Sequence, residues 1–370
     1  MRWSFQIGKV FGIPIRLHVT FFLLLFVFVL GFDGGKMQIS LDGLALVVLL
    51  FGSVLIHELC HSLVAIRKGV PVSSITLLPI GGVAEMSTMP EPPADEVKIA
   101  LAGPLASFVV AGFIFLLAGS LGYADEVVKL PLGTGSGGAL TRGGALFSRL
   151  FWGNIVLGTL NLVPAFPMDG GRVLRGALAS RVGLLQATRW AVSCGQAFAV
   201  LLYLLGWMYP SLRGLIVLAV FIYIGAEGEE EEVEFRTDIA EVPARDAMLT
   251  RFDTLAPDMS ITDSLDVLRH SQQEVFPVLS ESKLAGFVSK NDVLNALREL
   301  PAEAVIGEVM NTAFVTCSPD TPMGSVFRDL ERHNNEVVPV LDGGKLLGLI
   351  SFDQIGRYHT IASRQRTQPA

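Results

Sequence analysis

Apolar residues dominate the first part of the chain in six stretches, which polar or glycine-rich segments separate. A straight helix needs about 20 apolar residues to cross a bilayer. Four stretches come close to or exceed that length, and the first and last are shorter. The six are Leu17–Leu30, Leu44–Val64, Val97–Leu121, Leu146–Val163, Ala187–Trp207 and Gly214–Ala226. The pattern predicts about six transmembrane helices within residues 1–226, with five as the alternative.

The chain changes character after residue 226, where long apolar runs give way to charged and amphipathic segments. Six glutamates crowd residues 227–234, and a run of like charges is ordinarily solvated. We therefore expect residues 227–241 to form an acidic linker between a membrane unit and a soluble unit.

The remaining sequence repeats itself at a constant offset without a gap. Met248 aligns with Met310, and the tripeptide at 277–279 aligns with an identical tripeptide at 339–341. Units of about 60 residues bury little surface alone, so the two are expected to pack as a pair. The predicted domains are residues 242–300 and 301–361, followed by a flexible tail at 362–370.

Each repeat has the pattern of a small α/β unit. A strand near the Pro-Asp dipeptide is predicted first, then an amphipathic helix, two short strands and a second helix. In the first repeat the two short strands are expected at Val275–Leu279 and Leu284–Val288.

Composition agrees with a membrane unit. Hydrophobic residues make up 51% of the chain and the mean hydropathy is +0.53, above the level of ordinary soluble proteins. The segment Met1–Arg16 is mixed and polar, and no small-residue cleavage site follows, so we expect no removable signal peptide. The 3 cysteines are scattered and predict no disulfide framework.

Basic residues beside the apolar stretches predict the orientation, because Lys and Arg resist translocation. A six-span arrangement places a basic majority on one side, namely Arg2, Lys9, Arg16, Arg67, Lys68, Arg172, Arg175, Arg181 and Arg189. The opposite side holds the minority, Lys36, Lys129, Arg142 and Arg213. The bias predicts a multi-pass protein of the cell membrane whose termini and soluble unit face the cytosol.

The second apolar stretch contains a metal-ligand pattern, in which His57 and His61 flank Glu58. A four-residue spacing puts both imidazoles on one helical face, and Glu58 is placed to act as a general base rather than as a ligand. Ionisable groups at membrane depth cost about 2.5 to 3.5 kcal/mol each, so they indicate function. The alternative is a histidine pair hydrogen-bonded across the bundle, with Glu58 neutralised by a basic neighbour.

A catalytic zinc takes three protein ligands and keeps one position open, and Asp169 is the best candidate for the third. It follows Pro164 and Pro167 and precedes two glycines, which together would break a helix. Broken backbone at membrane depth is tolerated only where it faces protein or a watery cavity. The alternative is that Asp169 caps the helix that follows.

Together these two segments resemble the site-2 protease family of intramembrane metalloproteases. They match its HExxH motif and its Asn-x-x-Pro-x-x-Pro-x-Asp-Gly signature, and the likeness extends over about Phe5–Ile224, including Gly81–Met86 and Ala102–Pro104. The resemblance implies five functional residues: the ligands of one zinc ion His57, His61 and Asp169, the catalytic Glu58, and Asn161 near the substrate.

The tail, from about Val242 to Ile361, resembles the cystathionine-beta-synthase (CBS) domain pair. In that family a Ser or Thr followed three residues later by Asp holds adenosine nucleotides, and Ser289 and Asp292 fit this spacing. In the second repeat Ser351 is followed by an Asp one position early. A Ser-x-x-Asp also caps helices, which is the alternative for the first repeat.

A strand edge could hold an unwound substrate peptide, because a transmembrane helix hides its carbonyls in internal hydrogen bonds. Residues 75–86 alternate apolar positions and contain Gly81 and Gly82, so we expect Val83 and Ala84 to lie on an edge onto which the peptide adds. A surface hairpin without substrate contact is the alternative. His18 is expected as an interfacial residue rather than a fourth metal donor.

The predicted molecule is thus a polytopic α-helical membrane protein followed by a soluble α/β CBS pair. It would cleave transmembrane segments and respond to ATP or AMP at the CBS pair. Expected substrates are membrane-tethered transcription factors, anti-sigma factors or remnant signal peptides; a homodimer through the CBS domains is expected, and a nucleic-acid partner is not. The alternatives are a CBS-regulated transporter or channel, in which buried charges form an ion path, and an inactive protease homologue.

Overall fold

The computed structural model describes residues 3–23, 30–33, 36–39, 41–79, 81–86, 92–130, 141–301, 303–333 and 335–367. The chain divides into two compact units, Met1–Val233 and Glu234–Ala370.

Helices make up most of the first unit. They are α1 Leu41–Arg67, α2 Pro93–Ser120, α3 Arg142–Asn161, α4 Asp169–Val182, α5 Leu184–Met208 and α6 Gly214–Ile239, the last of which runs past the unit boundary. Helix α2 packs against α1, α3 and α4. It therefore lies in the middle of the bundle.

Three of these helices, α1, α2 and α5, are long and apolar enough to cross a membrane by length and composition, among the residues the structure describes. They contain the second, third and fifth predicted stretches. The fourth stretch lies in α3, whose helix also holds Arg149 and the buried Asn154. The sixth lies in α6, and part of the first, residues 24–29, falls outside the described residues. The count of six spans is not confirmed.

A four-stranded sheet accompanies the helices, in the order β1–β2–β5–β6. Its strands are β1 Ser4–Val10, β2 Ile13–His18, β5 Val72–Leu78 and β6 Gly81–Met86, while β3 Leu30–Asp33 and β4 Lys36–Ile39 form a separate hairpin. Strands β2 and β5 run parallel, and the other neighbours run antiparallel. Strand β6 is consequently an edge strand.

The sheet packs its apolar face onto the middle of α1. Ile13 and Ile15 of β2 and Ile75 of β5 are almost fully buried in one cluster with Leu59 of α1. Leu59 lies between His57 and His61, so this packing fixes the sheet directly beside the predicted metal motif.

The acidic run is helical and partly buried, unlike the solvated linker expected at 227–241. Helix α6 continues to Ile239, and the Glu229 side chain is 19% exposed and paired with Arg175. Glu230 pairs with Arg189 of α5. Basic residues on two neighbouring helices offset the repulsion that the sequence alone suggested.

The second unit repeats one α/β arrangement. Its elements are α7 Ile261–His270, β7 Val275–Ser280, β8 Lys283–Ser289 and α8 Lys290–Glu299, then α9 Met323–His333, β9 Val338–Asp342, β10 Lys345–Ile350 and α10 Phe352–Thr367. The two short strands predicted in each repeat are present, and they pair antiparallel. The strand expected near Pro-Asp is a single parallel bridge in each repeat, at Leu255 and at Cys317.

Each repeat has its own apolar core, and a third cluster joins them. Phe276 and Val293 are fully buried in the first core, and Met323 and Ile350 in the second. Phe287 belongs to the shared cluster with residues of β10, so the repeats do pack as a pair. The tail expected from residue 362 is helical to Thr367, because α10 contains no proline that would end the helix earlier, and residues 368–370 lie outside the described part.

Candidate metal centre

Helix α1 carries the two histidines into the interior of the bundle. His57 and His61 are 3% and 5% exposed, and their Nε2 atoms lie 3.1 Å apart. One turn of helix separates the residues, which is why the two rings converge.

Asp169 reaches the same point from the first residue of α4. Its Oδ2 lies 3.2 Å from His57 Nε2 and 3.1 Å from His61 Nε2. The N-cap of α4 is Met168, so the Asp169 carboxylate is directed at the histidines and not at the helix end. The three residues form a group that could hold a metal ion.

The first turn of α4 packs closely against the loop that precedes Asp169. The Phe166–Pro167 peptide is cis, and Phe166 is fully buried. A Cβ at residue 171 would lie only 2.6 Å from Phe166 N. Gly171 therefore lets α4 start directly against the loop, which brings Asp169 to the histidines.

The outer ring nitrogens of both histidines are held by α2. His57 Nδ1 is 2.9 Å from Ser107 Oγ, and His61 Nδ1 is 2.6 Å from the Ile99 carbonyl oxygen. A carbonyl oxygen only accepts, so His61 Nδ1 carries the proton and its Nε2 presents a lone pair to the Asp169 carboxylate.

This donor set fits a zinc ion. Nitrogen and oxygen lone pairs that face one another repel unless a cation lies between them. In metal-binding histidines the other ring nitrogen usually has a hydrogen-bond partner of its own, as Nδ1 has here. Ligands at about 2.0 to 2.1 Å around a tetrahedral zinc would be roughly 3.3 Å apart, close to the 3.1–3.2 Å observed. Three protein ligands leave the fourth position for water or substrate.

Two glycines let neighbouring backbone approach the motif. A Cβ at residue 103 of α2 would lie 2.6 Å from His57 Nε2 and closer still to His61 Nε2. A Cβ at residue 82 of β6 would lie 3.1 Å from Glu58 Cδ and closer to Cγ. The half-buried Glu58 thus sits between the histidine helix and the edge strand.

The predicted substrate residues lie around this edge. Val83 is 45% exposed, whereas Ala84 packs against the cluster between sheet and α1. Asn161 ends α3, donates its side-chain N–H to the Leu157 carbonyl oxygen at 3.1 Å, and begins the loop that leads to Asp169. His18 binds Thr20 Oγ1 at 2.7 Å and is not in the metal-binding group found among the described residues.

In the second unit, Ser289 and Asp292 form the helix cap that the spacing allowed. Asp292 N donates to Ser289 Oγ at 3.1 Å, and Ser289 N donates back to the Asp292 carboxylate at 3.0 Å. Both also line cavities. Ser289 borders a cavity of about 970 Å³, and Asp292 a smaller one of about 230 Å³ beside Asn311 and Phe314.

Sequence reasoning missed the residues that hold the metal ligands in place. Ser107, the Ile99 carbonyl and Gly103 all belong to α2, some 40 to 50 residues from the histidines in sequence. The sequence analysis included Gly103 only as part of the resemblance to the site-2 protease family and predicted no role for it. Their spacing along α2, one turn apart, is the only local signal.

Comparisons with known proteins match both units of the chain. The family model described as peptidase family M50 matches residues 45–204, and the CBS domain model matches residues 244–299 and 306–358. A zinc metalloprotease of Methanocaldococcus jannaschii is 36% identical over 361 residues, covering 98% of this chain and 97% of that protein.

Two further matches concern parts of the chain. Stage IV sporulation protein FB of Bacillus subtilis is 27% identical over 196 residues, which cover 53% of this chain and 59% of that protein. A solved structure of a site-2 protease from Methanocaldococcus jannaschii is 37% identical, with a TM-score of 0.47, and covers 62% of this chain and 95% of that one. The chain therefore belongs to peptidase family M50, the site-2 protease family, as a zinc metallopeptidase with a carboxyl-terminal pair of CBS domains.

Proposed function

We propose that this protein is an intramembrane protease that cleaves transmembrane segments of other membrane proteins. The observation that carries the proposal is the convergence of His57, His61 and Asp169 within 3.2 Å of one another, with both histidines on a helix apolar enough to cross a membrane. Placing ionisable groups at membrane depth costs free energy, and a peptidase that acts on soluble substrates does not require that placement.

The chemistry divides between the metal and Glu58. Bound zinc would polarise the scissile carbonyl and lower the pKa of a water molecule. Glu58 is the general base: it takes the proton of that water and then gives it to the leaving amine. Its place beside Gly82 puts the carboxylate between the metal ligands and strand β6, where a peptide would lie.

The outer edge of β6 is the proposed binding site for the unwound substrate. An edge strand offers free N–H and C=O groups to an added strand, and Gly82 brings this edge into contact with Glu58. Val83 and Ala84 would contribute main-chain hydrogen bonds, and Asn161 would contact the peptide from the loop side. A bound peptide would then pass directly over the catalytic carboxylate.

Proline substitution tests this edge. Successive N–H groups in a strand point to opposite sides, so in one of Val83→Pro and Ala84→Pro the lost N–H points away from β5. That variant should lose cleavage while keeping its zinc. Normal cleavage by both variants would remove the strand-addition proposal.

Adenine nucleotide binding at the CBS pair is the proposed means of regulation. The cavity of about 970 Å³ is at the upper end of the usual range for ligand sites and is lined by both repeats. Its polar residues include Asp253, Ser289 and Asn291 from the first and Ser351, Gln354 and Arg357 from the second. ATP or AMP bound there would stabilise the pair and change the cleavage rate.

A matched pair of cap variants separates nucleotide binding from helix capping. Ser260 caps α7 by accepting from Asp263 N at 3.0 Å, much as Ser289 caps α8, and each cap contributes about 1 kcal/mol. Ser289→Ala and Ser260→Ala should therefore destabilise the pair similarly. Only Ser289→Ala should weaken ATP binding measured by calorimetry on the full chain, and equal binding by both would contradict the proposal.

The proposed location, assembly and substrates of the protein are those that the sequence predicts. The protein would be multi-pass, with the metal centre and the CBS pair open to the cytosol, and would form homodimers through the CBS domains. Its substrates would be membrane-tethered transcription factors, anti-sigma factors or remnant signal peptides.

Substrate accumulation in cells tests the proposed activity. Glu58→Gln keeps the size of the side chain but removes the base, so uncleaved membrane proteins should accumulate and be detected by mass spectrometry of membrane peptides. Glu231→Gln, the same change at an exposed glutamate, is the control. Identical membrane peptide profiles for the two variants would refute intramembrane proteolysis as the function.

A further inference from the structure

A buried arginine lies close to the metal centre without being one of its ligands. Arg175 of α4 comes six residues after Asp169, and its side chain is 4% exposed. Buried arginines are rare unless they are paired, so its partners indicate what it holds together.

The guanidinium of Arg175 binds carboxylates from two other helices. Its Nε donates to Glu96 Oε1 at 2.8 Å, and Nη2 donates to the same oxygen. Its Nη1 donates to Glu229 Oε2 at 3.4 Å. Glu96 is in the first turn of α2 and its side chain is 9% exposed, while Glu229 belongs to α6. One side chain thus joins α4 to α2 and α6.

The same guanidinium lies over the ring of Phe166, 4.8 Å from its centroid. Phe166 is three residues before Asp169, is fully buried, and donates its backbone N–H to the Ala191 carbonyl oxygen at 3.3 Å. Arg175 therefore contacts the loop on one side of Asp169 while it belongs to the helix on the other side.

Helix α2 is the element that orients the two histidines. Its Ile99 carbonyl binds His61 and its Ser107 hydroxyl binds His57. Glu96 precedes Ile99 by one turn, so the Arg175–Glu96 pair ties the helix of the third ligand to the helix that holds the other two. A planar guanidinium with several fixed donors suits this task better than a lysine ammonium.

We infer that Arg175 is a positioning residue of the metal centre, which holds the Asp169 carboxylate at the two histidines through Glu96, Glu229 and Phe166. It acts through Asp169 and touches neither metal nor substrate. Arg175 is not part of either metal-binding motif, and its proposed role does not depend on which peptide bond the protein cleaves.

The test measures metal binding by the full-length protein. Removing Arg175 would leave the buried Glu96 carboxylate without this partner, whereas Glu229 keeps Arg172 at 3.6 Å. Arg175→Met is therefore made together with Glu96→Gln, which removes the buried charge so that the variant can fold. The readouts are the Zn2+ dissociation constant from chelator competition and the visible spectrum of the Co2+-loaded protein. Arg189→Met is the control, since its pair with Glu230 is 44% and 32% exposed.

Loss of positioning predicts about a 10-fold or larger rise in the Zn2+ dissociation constant and an altered Co2+ spectrum for the double variant. Arg175→Lys should recover part of both, and Arg189→Met should match the unchanged protein. A folded double variant with unchanged affinity and spectrum would overturn the inference. Because neither readout involves a substrate, this outcome is distinct from failure of the proposed protease function.

Discussion

Adding one methyl group at Gly103 should destroy the metal centre while making its helix intrinsically more stable. A Cβ at this position would lie 2.6 Å from His57 Nε2 and nearer to His61 Nε2, whereas real Cβ atoms essentially never approach within 3.0 Å. His57 would have to move by at least about 0.4 Å and His61 by more. Metal–ligand distances tolerate about 0.2 Å, so both imidazoles would be displaced by more than a zinc site usually accepts.

The opposing effects can be compared in magnitude. Replacing glycine by alanine inside a helix favours folding by about 1 kcal/mol, and overpacking a close contact costs about 1 to 3 kcal/mol. The difference between the two effects is a net loss of at most about 2 kcal/mol in the free energy of unfolding. Loss of one outer-shell partner already costs about 10- to 100-fold in metal affinity, so displacement of two ligands should cost 100-fold or more.

The assay is zinc content and zinc affinity of purified full-length Gly103→Ala, compared with Gly112→Ala. Gly112 lies on the same helix, and a Cβ there would meet nothing within 4 Å. We expect Gly112→Ala to bind zinc normally and to melt slightly higher. Normal zinc affinity of Gly103→Ala would refute the close packing of α2 against the histidines.

Three further predictions address other parts of the molecule. Ser107→Ala removes the hydroxyl that holds His57 Nδ1 and should weaken zinc binding about 10-fold or more by chelator competition; unchanged affinity would contradict a supporting role. Glu229→Gln removes the negative charge that pairs with Arg175 and should speed zinc release by up to about 10-fold, whereas Glu230→Gln should not; equal release rates for the two variants would contradict the role of the Arg175 contacts. Burial, with the carboxylate of a nearby aspartate, raises the pKa of the Cys317 thiol to about 11, from 9.0. Because only the thiolate reacts, alkylation of Cys317 at pH 8 should be about 100-fold slower than for an unstructured cysteine and should quicken up to about pH 11; rapid labelling at pH 8, followed by mass spectrometry, would contradict this.

The convergence of the two histidines and the repeat in the second unit could be predicted from the sequence alone. A four-residue spacing has one geometric meaning on a helix, so His57 and His61 were predictable without the fold. The offset of the repeats likewise predicted matched elements, and both hairpins, β7–β8 and β9–β10, are present. These are local patterns, in which neighbouring residues determine the outcome.

The role of Asp169 was harder to predict from the sequence, because the residue is over 100 positions from the histidines and its sequence context also fits a helix cap. Only the fold distinguishes these roles, since Met168 is the N-cap and the Asp169 carboxylate turns to the histidines. Ser107 and Arg175 could not be predicted at all. Their roles depend on how α2 packs between α1 and α4, and a serine or an arginine in a helix has no pattern that reports such packing.

The pairing of strands β1 and β2 with the rest of the sheet was not predicted, and residues 227–241 were expected to be a solvated linker but are helical to Ile239. Both differences have the same physical reason. Strand β2 pairs in parallel with β5, more than 50 residues later, and nothing local to either strand specifies that partner. The glutamates after residue 226 repel one another in isolation, and Arg175 and Arg189 on two other helices compensate for the charge. Composition alone does not show that charged residues will be paired with partners that are distant in the sequence.

Zinc content and cleavage, measured on one preparation of the Glu58→Gln protein, test whether the chain is a zinc-dependent intramembrane protease with Glu58 as its base. The full-length variant would be reconstituted in lipid vesicles with a transmembrane peptide substrate, beside the unchanged protein. We expect one zinc ion per chain in both proteins and cleavage only by the unchanged protein, because the proposed role of Glu58 is that of the base and not of a ligand. Cleavage by the zinc-loaded Glu58→Gln protein at the unchanged rate would contradict it.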